Sequence, residues 1–222
     1  MCGRFALYST ADEIKDTFDL KQLPLFSARY NIAPSQNILC LRNNHGEKEA
    51  ALMHWGLIPF WAKNKTISRN LINARAESLP EKPAFRQAFK THRSLVIMSG
   101  FYEWGQDSTP KTPYYFKHPD SSPLAIAALW DNWQDENGDT IQSCCMITTS
   151  ANELMRPVHN RMPVILNHAQ QEVWLNHDEF NQDALSALLA PCPDDVLMKY
   201  PVTPKMNNAR YEGIDAINPI TD

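Results

Sequence analysis

Sixteen prolines are scattered along the whole 222-residue chain, and they constrain the fold more than any other feature. Proline lacks an N–H and clashes with the preceding turn of a helix, so the elements between these stops must be short. The runs between them are rich in β-branched and aromatic residues and are bounded by Pro, Gly, Asn or Asp. They predict strands over Asn37–Arg42, Ala50–Leu57, Leu95–Trp104, Pro113–His118, Leu124–Trp133, Ser143–Ser150 and Met162–Leu166. The capping box Thr10-Ala-Asp-Glu13, with Ile14 and Phe18 four residues apart, predicts a helix over 11–20. Further helices are expected over Ala84–Arg93, Ala169–Leu175 and Gln182–Leu189. Strands that follow one another, with helices that do not alternate with them, define an α+β fold. Its expected centre is a mainly antiparallel, curved or barrel-like sheet with a few flanking helices. Because no stretch is repeated, low in complexity or linker-like, one domain over 1–222 is expected.

Hydrophobic residues at 43% supply a core, and no window approaches the roughly 20 apolar residues of a membrane span. The chain opens MCGRFALYST, without an apolar leader, so a cytoplasmic protein is expected. Five cysteines, one adjacent pair and no CxxC suit neither a disulfide framework nor a zinc site, and neither metal nor cofactor is expected. The net charge of −4 argues against a nucleic-acid partner. Its distribution argues the other way. Residues 61–95 hold Lys63, Lys65, Arg69, Arg75, Lys82, Arg86, Lys90 and Arg93 against only Glu77 and Glu81, whereas residues 170–198 hold six acidic residues and no Lys or Arg. Two solvated faces of opposite sign explain this pattern as well as a binding surface does.

Four residues have the chemistry of a reactive site. Removal of Met1 would turn Cys2 into a free 1,2-aminothiol, with both nucleophiles partly available near neutral pH. An aldehyde condenses with such an amine to an imine, and the neighbouring sulfur then closes a five-membered thiazolidine. The same terminus can act as an amidase nucleophile, with its own amine as base. In the strand Leu95–Trp104, alternation puts Glu103 on one face with Ile97, Ser99 and Phe101, opposite Tyr102 and Trp104. A carboxylate among aromatics is costly to bury and is suited to proton transfer. His159 lies in a polar segment held between Pro157 and Pro163. Asn73 and Arg75 share a strand face and suit a polar intermediate and a phosphate. Trp61 precedes Lys63 and Lys65, an order that suits base stacking beside a phosphate path, although core packing is the ordinary fate of a tryptophan.

Six segments stand in a fixed order: Met1-Cys-Gly-Arg-Phe5, Arg29-Tyr-Asn-Ile-Ala-Pro34, Trp55-Gly-Leu-Ile-Pro59, Asn73-Ala-Arg-Ala-Glu77, Gly100-Phe-Tyr-Glu-Trp104 and His159-Asn-Arg-Met-Pro163. With Val202-Thr-Pro-Lys-Met-Asn-Asn208 they make the chain resemble the SOS-response-associated peptidase (SRAP) family over about residues 2–208. The resemblance implies a protein of the DNA damage response that loses Met1 and binds single-stranded DNA or a single-strand/double-strand junction. It also implies that Cys2 is joined to an abasic site as a thiazolidine. Cys2 would be the nucleophile, Asn73 and Glu103 would assist imine formation and ring closure, and His159 would help the abasic sugar open. Arg4, Asn31, Trp61 and Arg75 would contact DNA, with the protein on the nucleoid when bound. Asn160 stands where the family commonly has an acidic residue, which removes a negative charge from beside the imidazole.

Three other functions are open to such a sequence. A class II glutamine amidotransferase also starts with an N-terminal Cys, but it needs an Asn-Gly oxyanion segment, and the only one here is Asn137-Gly138 in an acidic turn. A non-catalytic single-strand binder would leave Cys2 and Glu103 unexplained. A peptidase acting on other proteins would need a triad that the sequence does not display.

Overall fold

The computed structural model describes residues 2–105, 111–178 and 180–220. Met1, whose removal the sequence predicts, lies outside them, as does Glu179 of the acidic window. The fold is α+β and carries a closed barrel. Strands β3 (Asn37–Asn44) and β4 (Glu47–Trp55) form a hairpin. Its two-residue turn is His45-Gly46, both at positive φ, which matches the strand twist. Strand β6 (Arg93–Met98) pairs with β3 and with β9 (Leu124–Gln134), and β9 pairs with β10 (Thr140–Ser150). A short parallel junction, Ser143 beside His54 and Cys144 beside Trp55, joins β10 to β4 and completes the circle. Closure removes the exposed edges that such strands would otherwise present.

A second sheet, antiparallel throughout, packs beside the barrel. It is made of β1 (Phe5–Leu7), β2 (Arg29–Ile32), β7 (Gly100–Trp104), β8 (Pro113–Lys117) and β12 (Met198–Pro201), in the order β12-β8-β7-β1-β2. One face sends Phe5, Phe101 and Phe116 into the main core, where Phe5 meets Trp55 edge-on at 5.2 Å. The other face carries Ala6, Tyr102 and Tyr115 under a layer of Tyr8, Tyr30, Tyr200 and Tyr211. Helices α1 (Ala11–Phe18), α2 (Arg86–Thr91), α3 (His168–Leu175) and α4 (Gln182–Ala187) flank the sheets. The α1 capping box forms as the sequence predicts.

The segment predicted as one strand over Leu95–Trp104 is two strands in different sheets. The chain turns at Ser99, whose Oγ accepts from the N–H groups of Tyr8 and Ser9 while its own N–H donates to Ala6. Gly100 is required next to this pivot: a Cβ there would lie 2.5 Å from the Phe116 carbonyl oxygen and 2.4 Å from the Tyr115 hydroxyl. The predicted strand Met162–Leu166 shortens to β11 (Arg161–Pro163), with Ile165 bridging to Ile126. The predicted helix over Ala84–Arg93 ends at Thr91, because Arg93 already belongs to β6.

Arg93 does not belong to the basic surface on which its sequence window places it. It is buried, with its guanidinium donating to the carbonyls of Phe89, Lys90, Trp174 and Asn176. Nearby, burial together with Arg93 and His92 pushes His177 down to about 4. An unfolded histidine takes up its proton near pH 6.5. As pH falls from about 6.5 towards about 4, the unfolded chain is protonated first, so stability should decline across that window by up to about 3 kcal/mol, less solvent screening. Denaturant unfolding at pH 7 and at pH 4 measures this. His177→Gln should show a smaller acid loss, and an equal loss would assign the effect to other groups.

A candidate active site at the start of the first strand

Cys2 immediately precedes β1 and is 1% exposed, within the main core. Backbone pairing of β1 with β7 continues outward through the Tyr102 N–H to the Arg4 carbonyl, so Glu103 arrives beside the first residues of the chain. Glu103 is 4% exposed and lies on the same face of β7 as Phe101. Burial and then the Glu103 charge push the Cys2 thiol well above its ordinary range, and the terminal charge only partly offsets this. The sulfur is therefore held as a neutral thiol, with a contact to the Arg4 carbonyl at 3.8 Å.

Asn73 comes from β5 (Asn73–Arg75), which runs parallel to β10, with Met146 beside Asn73 and Thr148 beside Arg75. Its Nδ2 donates to the Cys2 carbonyl at 2.8 Å. The Oδ1 of the same amide is buried with no hydrogen-bond partner among the described residues. An acceptor left over beside Cys2 costs stability unless something else meets it, such as an amine or a carbinolamine hydroxyl.

His159 lies on the opposite flank of β10, two residues before Arg161, which pairs with Ser150. Its Nδ1 lies 2.9 Å from the Arg161 N and 3.1 Å from the Arg161 carbonyl oxygen, so the Arg161 backbone holds this ring nitrogen. A backbone bond thus orients the imidazole where Asn160 provides no carboxylate. Arg161 grips Glu77 with both guanidinium nitrogens, at 2.6 and 3.0 Å, and donates to the Thr148 carbonyl. Strand β10 thereby draws the 73–77 and 159–161 segments to one corner. Neither Arg161 nor Glu77 is singled out by sequence reasoning, although both lie inside segments that carry the family resemblance.

The four residues expected to contact DNA are dispersed. Arg75 is exposed at the end of β5. Trp61 is 48% exposed, beside Phe60 at 59%. Their loop meets the barrel at Ser143, three to five residues along β10 from the partners of Asn73 and Arg75, roughly 10–17 Å at strand rise. Arg4 is half-buried and donates through Nη1 to the Asn31 Oδ1 at 2.8 Å and to the Met206 carbonyl at 3.1 Å. Asn31 lies behind Arg4 rather than at the surface. It is fully buried, and its Nδ2 donates to the carbonyls of Met206, Asn208 and Tyr211, so its amide holds Arg4 against the closing segment.

A buried cysteine at position 2, with a carboxylate and an amide beside it, is the candidate reactive group of this fold. The chain belongs to the SOS response associated peptidase (SRAP) family, whose profile matches residues 1–209. It is 42% identical over 222 residues to abasic site processing protein YoaM of Bacillus subtilis (strain 168), covering 98% of each chain. Abasic site processing protein HMCES of Xenopus tropicalis is 30% identical over 95% of this chain and 76% of its own length. A crystal structure of a protein from Bacteroides thetaiotaomicron shares the fold, with a TM-score of 0.91 and 23% identity over 99% of this chain and all of that one.

Proposed function

We propose that the chain captures abasic sites in single-stranded DNA by forming a thiazolidine on Cys2 after Met1 is removed. The observation that carries this reading is the convergence of Asn73 and Glu103 on a buried Cys2, in a family whose similar members are named for abasic site processing. The α-amine freed at Cys2 acts first. It adds to the aldehyde of the open sugar, and loss of one water leaves an imine. The sulfur then attacks the imine carbon, Glu103 takes the thiol proton, and the nitrogen receives a proton as the C=N bond becomes single. Asn73 anchors the Cys2 carbonyl and offers Oδ1 to the amine and the carbinolamine. His159 serves opening of the closed sugar. Arg4, Arg75 and Trp61 hold the strand by two phosphate contacts and one stacked base.

The amidotransferase alternative loses its oxyanion segment, because Gly138 sits at positive φ in the exposed hairpin turn between β9 and β10. Intact mass tests the proposal. Protein incubated with an oligonucleotide bearing one abasic site should begin at Cys2 and gain the mass of the oligonucleotide less one water, without borohydride. The same strand with an intact base should add nothing. Active protein that retains Met1, or an adduct seen only after reduction, would refute it.

A further inference from the structure

The loop that presents Phe60 and Trp61 leaves β4 and has no regular structure, yet it is fastened to the barrel at every second residue. The Ile58 N–H donates to the Ser143 Oγ at 2.8 Å, the Phe60 N–H to the Asp131 Oδ2 at 2.9 Å, and the Trp133 Nε1–H to the Ala62 carbonyl at 2.7 Å. Asp131 and Ser143 are cross-strand partners where β9 and β10 close the barrel, and they are 4% and 0% exposed. A carboxylate buried among apolar strands is expensive. Its second oxygen accepts only from the neighbouring Asn132 N–H and lies 3.6 Å from His92 Nδ1. One oxygen of this carboxylate therefore serves the loop, while the other serves its own strand neighbour and His92. The rings of Phe60 and Trp61, unlike the loop's backbone, stand largely in solvent.

We infer that Asp131, Trp133 and Ser143 are positioning residues that pre-set the Phe60–Trp61 step for a base of the captured strand. This rests on the DNA reading of Trp61 given above. A loop fixed before binding loses little entropy when the strand arrives, so its fastening contributes to affinity although none of the three residues touches DNA. The inference places a determinant of strand affinity in the barrel wall, on β9 and β10.

The test is a cycle with Trp61. Trp133→Phe removes the N–H and keeps a smaller aromatic ring in place, Asp131→Ala removes the acceptor, and Asp131→Asn keeps one. Crosslinking is timed against increasing abasic oligonucleotide, and reversible binding of an intact fluorescent strand is followed by anisotropy. Trp133→Phe and Asp131→Ala should each raise the half-saturating concentration about three- to tenfold, with the rate at saturation kept and Asp131→Asn close to the parent. In a Trp61→Ala background neither should weaken binding further. Equal losses with and without Trp61, a fall in the saturated rate, or no effect of Trp61→Ala itself would overturn the inference. If Asp131→Ala does not fold, Trp133→Phe decides. If intact strands bind but abasic strands are not captured, the covalent reading fails while the anisotropy cycle still judges the loop.

Discussion

Cys2→Ala protein should bind an abasic oligonucleotide and form no adduct that survives denaturation. Alanine still permits removal of Met1 and leaves the α-amine, so an imine can form, but no sulfur remains to close on its carbon and water reverses the condensation. Borohydride should then trap what denaturation alone does not. Cys2 lies within the core, so loss of its sulfur costs packing of about 1 kcal/mol, too little to unfold a chain of this size. Circular dichroism and intact-strand binding separate loss of chemistry from loss of fold. A stable adduct in full yield from the alanine variant would exclude the thiazolidine.

Glu103→Gln should slow capture of both an abasic oligonucleotide and a small free aldehyde, by roughly 10²–10⁴-fold if the carboxylate is a general acid–base group. Glutamine keeps the shape and loses the ability to accept the thiol proton. His159→Ala should behave differently. If the imidazole serves sugar opening, its loss slows the oligonucleotide reaction and spares an aldehyde that is already open. Stopped reactions timed on both substrates read the difference. Equal defects for His159→Ala on the two substrates, or none for Glu103→Gln on either, would reassign the roles even with Cys2 as nucleophile.

The strands were legible wherever a run of β-branched and aromatic residues lay between breakers, as from Asn37 to Arg42 or Leu124 to Trp133. Their partners were not, since period-two alternation says which residues share a face and nothing about which sheet receives the strand. The change of sheet at Ser99 shows why: what turns the chain is the Ser99 hydroxyl accepting from Tyr8 and Ser9, ninety residues away in sequence. The strands Phe5–Leu7 and Met198–Pro201 are too short to show a period. In the site, Cys2, Asn73 and Glu103 declared themselves by chemical type and by family motif. Arg93 misled because a charged side chain reads as exposed unless its carbonyl acceptors are known, and Trp174 and Asn176 come from a distant segment, as do the Met206, Asn208 and Tyr211 carbonyls that bury Asn31. The Asp131 contact to Phe60 was hidden for the same reason.

Arg4 is held by the carbonyl of Met206, 202 residues further along the chain, and by an Asn31 that depends on Met206, Asn208 and Tyr211. During synthesis those carbonyls come long after Arg4 itself. At translation rates of roughly 5–20 residues per second, residues 2–5 wait at least ten seconds or so before the segment that clasps them is made. Until residues 206–211 emerge, Arg4, next to the first strand, lacks the clasp that orients it.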